Sequence, residues 1–174
     1  MRGDAALTAR LLLRGTGLAG LLATVGGGLV IGGALAPWRL TVAQVTMLGH
    51  DEERVIAATR GLPGTVGGWV VAVAAVAIVV LGLLVAVDQP PRGARWWVLG
   101  LGLGCFLVAV GTLMSPPPTE GLDAAQVLAS LGAEEATLPA GIEVVPGVRR
   151  GYGPGLVVLG ALLAILGGLA AREA

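Results

Sequence analysis

The chain has 174 residues, 55% of them hydrophobic and 13% charged, with zero formal net charge and a mean hydropathy of +0.87. That balance excludes an ordinary soluble domain and leaves no basic soluble face for nucleic acid. A lone cysteine, Cys105, excludes an intramolecular disulfide.

Arginine is the only basic residue type besides one histidine, and glycine and alanine abound, a composition typical of a high-GC coding bias. The charges are clustered, leaving four apolar stretches at residues 15–36, 66–87, 96–114 and 154–171 that hold no Asp, Glu, Lys, Arg or His. A helix needs roughly 20 such residues to cross a hydrocarbon core of about 30 Å with every backbone polar group paired inside the segment. The expected architecture is a single membrane domain over 1–174, all-α in class: a four-transmembrane-helix bundle with a small extracytoplasmic cap containing β-strands and a short helix.

The first span follows a basic start and ends in Ala34-Leu35-Ala36, an A-x-A pattern like that of a signal-peptide cleavage site. Pro37 immediately afterwards opposes cleavage, and the run exceeds the about 7–15 residues of a signal h-region, so the helix is expected to be retained. Gly28 and Gly32 form a GxxxG pair within it, and Gly26-Gly27-Gly28 is a place where a helix could break and expose backbone groups to a substrate.

The outer loop 37–65 begins with Trp38, an expected membrane-interface anchor. Residues 38–47 alternate as a strand, 49–52 read as a turn and 54–60 as a returning strand. The cluster His50-Asp51-Glu52-Glu53 reads as a solvated hairpin tip, because one histidine without a second spaced ligand does not make a metal site.

Trp69 opens the second span, in which Gly68 with Ala72 and Gly82 with Ala86 are small pairs. The inner loop 88–95 carries Arg92 and Arg95. Trp96 and Trp97 open the third span, where Gly100 and Gly104 form another GxxxG beside Cys105, whose thiol reads as packing.

In the outer loop 115–153, three prolines after Ser115 hold the chain extended. Residues 121–135 read as a helix capped by Asp123, with Ala124, Val127, Leu128 and Leu131 on one face. Ile142, Glu143, Val144 and Val145 offer a short strand and Pro146-Gly147 a turn, and Arg149-Arg150 could meet anionic lipid headgroups of the outer leaflet but read first as an anchor for the next helix end. Tyr152 borders the fourth span, in which Gly160, Ala164 and Gly168 form a small-residue ladder. These small faces are read as packing within the bundle, with a homo-oligomer or partner contact as the second use.

Direction follows from arginine placement: the amino-terminal segment, inner loop and tail carry a net +3, the two outer loops −3. Arginine density is higher on the former, which places both termini in the cytoplasm of a bacterial plasma membrane. A short likeness between residues 31–37 and 110–116, and between 60–64 and 150–155, is compatible with a parallel repeat of helix, outer loop, helix.

The spans contain no ionisable residue that would mark a proton relay or ion path, and no H-E-x-x-H, G-x-S-x-G or Walker pattern occurs. No cofactor, metal or catalytic group is expected. The expectation is a non-enzymatic scaffold, assembly factor or interaction partner in the lipid bilayer; the alternative is a small transporter or lipid-binding protein using the Gly-rich helices.

The layout of a first span closing on Pro37-Trp38, a β-rich loop ending in Arg60-Gly61-Leu62-Pro63-Gly64, an arginine-bearing turn and a second outer loop resembles the actinobacterial tryptophan-operon-associated membrane proteins. The likeness covers most of the chain. It implies membership in a class of small membrane proteins without an established activity, and it supplies no site residues. The same plan is similar to that of claudins, with outer strands over a helical bundle.

Overall fold

A computed structural model describes residues 15–47, 50–115, 129 and 142–171. The described elements are helix α1 (Gly15–Leu35), strands β1 (Pro37–Met47) and β2 (His50–Arg60), helices α2 (Val66–Ala86) and α3 (Ala94–Met114), strand β3 (Ile142–Arg150) and helix α4 (Gly153–Ala170). The four helices are 18 to 21 residues long and apolar enough to cross a membrane. At about 1.5 Å per residue they match a hydrocarbon core. This is the architecture of a multi-pass membrane protein, and the helix limits fall within two residues of those expected.

The starts of α1 and α3 meet the ends of α2 and α4 in a cluster of Ala19, Val85, Ala94 and Ala171. All three described strands lie at the opposite end. Between the ends, Val30, Val71, Ala75, Ile78, Cys105, Ala109, Val157, Ala161 and Ala164 form a packed core. Thr24 and Thr112 donate their hydroxyls to Gly20 and Val108 carbonyls of their own helices, both at 2.8 Å, which removes two polar groups from the lipid problem.

Helix contacts run through glycine. A Cβ built on Gly26 would meet the Gly160 carbonyl oxygen at 2.5 Å, one on Gly33 the Gly153 carbonyl at 2.8 Å, and one on Gly167 the Ala19 carbonyl at 2.7 Å. These positions recur every seven residues along both α1 and α4, so the two antiparallel helices touch backbone to backbone once every second turn. On another side of α1, Gly27 abuts Ala75 and Val79 of α2, and Gly20 abuts Gly82 and Ala86. Without a hydrophobic force between helices in lipid, such close approach supplies the association through dispersion contacts. The helix therefore runs unbroken through Gly26-Gly27-Gly28, where the alternative reading would have needed a break: the first glycine meets α4, the second meets α2, and the third meets nothing within 4 Å.

The sheet is antiparallel, in the order β2-β1-β3. The returning strand starts at His50 rather than 54, leaving a connection of residues 48–49 that lies outside the described residues. β3 runs straight through Pro146-Gly147, where the sequence predicts a turn. An edge strand tolerates this, because a proline without an N–H is acceptable where one side of the strand is unpaired. The helix expected at 121–135 lies outside the described residues apart from Ala129, which is helical.

Candidate functional site

Pro37 and Trp38 join the helices to the sheet. In a continuing helix the Gly33 carbonyl would accept from the N–H of residue 37, but Pro37 has none. The Trp38 indole takes that place, donating Nε1–H to the Gly33 carbonyl at 2.9 Å. Two more carbonyls at this end are met from the loop: Leu62 N–H donates to Ala34 at 2.8 Å and Gly61 N–H to Ala36, just past the helix, at 3.3 Å. Gly151 N–H donates to the Trp38 carbonyl at 2.9 Å. Gly61, Gly151 and Gly153 crowd this joint so closely that a Cβ on any of them would strike Pro37, Trp38 or the end of α1.

Trp38 is accordingly 4% exposed, buried in the core cluster and not presented to a membrane interface as expected. The other expected anchors are exposed at helix ends: Trp69 and Tyr152 towards the sheet, Trp96 and Trp97 at the far end. The Arg95 guanidinium lies 5.4 Å from the Trp96 ring centroid, within cation–π range.

The expected packing residues divide. Gly160 and Ala164 sit at the α1–α4 contact, and Gly168 meets Leu99 of α3. A Cβ on Gly28, Gly32, Gly100 or Gly104 would meet nothing within 4 Å, so among the described residues both GxxxG pairs face away from the other helices. Sequence reasoning missed Gly20, Gly26, Gly27, Gly33 and Gly167; the signal was present as seven-residue spacing, the repeat of left-handed helix pairs, rather than four.

On the sheet, β1 is covered on both edges, whereas the outer edge of β2 has no strand partner among the described residues. From Glu52 to Arg60 the strand is exposed apart from the half-buried Ile56, and residues 55–59 carry no charge. A register shift between Thr41 and Val42 places an extra residue, Ile56, opposite that step. The Arg149 guanidinium reaches a Glu53 carboxylate oxygen at 2.7 Å, tying β3 to β2 across the central strand. Among the described residues no group of three or more His, Cys, Asp or Glu side chains could hold a metal ion.

Where the sheet meets α3 and α4, a cleft of about 300 Å³ opens. Its upper wall holds Arg39, Arg149 and Arg150; its floor is made by Leu107, Val108 and Gly111 of α3. A second cavity of about 10 Å³ lies at the far end of the bundle, and the packed core separates the two. No protein-family model matches this chain, and no curated protein does either.

Proposed function

We propose that the protein is a non-enzymatic scaffold or assembly factor of the bacterial plasma membrane, with both termini cytoplasmic, which engages a partner membrane protein through its extracytoplasmic sheet. The observation that carries this reading is β2, an eleven-residue strand with no partner on its outer edge among the described residues and exposed from Glu52 to Arg60 apart from Ile56. Unpaired backbone N–H and C=O groups on such an edge are a template for an added strand, and natural edges are usually shortened or charged to prevent pairing. Here the charges Glu52, Glu53 and Arg54 gather near the tip, and Val55 to Thr59 are left uncharged. The packed centre of the bundle favours this reading over a transporter, which needs a path through the helices.

A photo-crosslinking residue placed at Ala57 in the full chain tests it in native membranes. The expected result is one discrete crosslinked partner, lost when Ala58→Pro removes a backbone donor from the strand. Recovery of only the uncrosslinked chain from Ala57 and from a second site at Val55 would overturn the proposal.

A further inference from the structure

We infer that the cleft at the seam of sheet and bundle binds the phosphodiester headgroup of an anionic glycerophospholipid from the sheet-side leaflet. Arg39 and Arg150 stand directly opposite each other in the β1–β3 ladder, so their side chains leave the same face of the sheet. Like charges in that relation repel. The third member of the row, Thr59, is neutral, and no carboxylate lines the cleft among the described residues. Arg149 is engaged by Glu53, whereas among the described residues Arg150 makes only a 3.4 Å contact from Nη2 to the Ser115 carbonyl. Two guanidiniums held together without an acid form a site for an anion, and the planar fork of arginine suits the oxygens of a phosphate.

The position selects a lipid over a soluble phosphate. Ser115 caps α3, at the level where the hydrocarbon span gives way to the headgroup region. Directly below, the missing side chain of Gly111 leaves a furrow along α3 beside the exposed Leu107, with nothing within 4 Å of where a Cβ would stand. From residue 107 to 115 the furrow spans about 12 Å of helix, enough for the first methylenes of an acyl chain. A cavity at the low end of the roughly 300–1,000 Å³ of ligand pockets holds a headgroup and not a whole lipid, leaving the rest of the chains in the bilayer. This inference stands independently of any partner on β2.

The test is native mass spectrometry of the full chain in detergent with phosphatidylglycerol or phosphatidylcholine added at equal concentration. Phosphatidylglycerol should be retained preferentially. Each arginine near an anionic surface is worth on the order of fivefold in affinity, so Arg39→Gln with Arg150→Gln should lower retention about 25-fold. Gly111→Leu, which fills the furrow without altering charge, should lower it as well, and Arg60→Gln, on β2, should leave it unchanged. Free sn-glycerol 3-phosphate should not displace the lipid. Equal retention of the two lipids, indifference to both the arginine pair and Gly111→Leu, an equal loss in Arg60→Gln, or displacement by glycerol phosphate would each overturn the assignment.

Discussion

Gly26 and Gly160 occlude each other reciprocally: a Cβ on either residue would lie 2.5 Å from the carbonyl oxygen of the other. Backbone cannot step aside as a flexible side chain can, so even one methyl group forces α1 and α4 apart. Gly26→Ala or Gly160→Ala should therefore destabilise the bundle by about 1–3 kcal/mol, the usual cost of overpacking. Gly28→Ala and Gly104→Ala face open space and should be neutral, or stabilising by up to about 1 kcal/mol through helix propensity. Thermal unfolding of the four variants in detergent, followed by circular dichroism, separates the two classes.

Trp38→Phe keeps most of the ring but removes the donor that replaces the absent N–H of Pro37. The buried Gly33 carbonyl is then left unsatisfied, at about 1–3 kcal/mol. The same variant has a spectroscopic signature. Trp69, Trp96 and Trp97 are 55%, 63% and 65% exposed against 4% for Trp38. In detergent the fluorescence least accessible to acrylamide should vanish in Trp38→Phe and persist in Trp97→Phe.

The proposed direction predicts a labelling pattern in intact cells. A cysteine at Val55 on the sheet should react with a membrane-impermeant maleimide, and one at Arg92 should react only after permeabilisation. The native Cys105 is 2% exposed in the core and should contribute no background. The reverse pattern would invert the assignment of both termini.

The Arg149–Glu53 pair joins the two edge strands, yet its arginine side chain is 62% exposed and its glutamate 29%. An ion pair this open to solvent is worth about 0.2–1 kcal/mol. Glu53→Gln should leave global unfolding almost unchanged while raising hydrogen exchange in β3 more than in α4, because its effect is local to the sheet.

The spans were legible because lipid imposes a strict rule: four stretches without an ionisable residue became four helices. The hairpin was legible from alternation around Val42 and Val45. Pro146-Gly147 misled because the same dipeptide serves a turn or an edge strand, and only the strand order distinguishes them. Gly28 with Gly32 and Gly100 with Gly104 misled for a different reason. Spacing tells which residues share a face of a helix, but the face that meets a neighbour depends on where the other helices stand. Trp38 was placed at the correct boundary with the wrong exposure, since the vacancy at the Gly33 carbonyl appears only once Pro37 is seen to end a helix. The arginine cleft was legible only in part: Arg149-Arg150 stand out beside the fourth span, but Arg39 is brought to Arg150 only by the pairing of β1 with β3.

The glycine ladder between α1 and α4 also sets a timetable. Chains are made from the amino terminus, so α1 enters the membrane while its matching glycines on α4 are still unsynthesised. Until Gly153, Gly160 and Gly167 arrive, one groove of α1 can be lined only by lipid or by a transient companion, because α2 covers a different side of α1, at Gly20 and Gly27. Loss of the last helix would thus leave the first one stranded beside α2, exposed to quality control along the stripe of Ala19, Gly26 and Gly33.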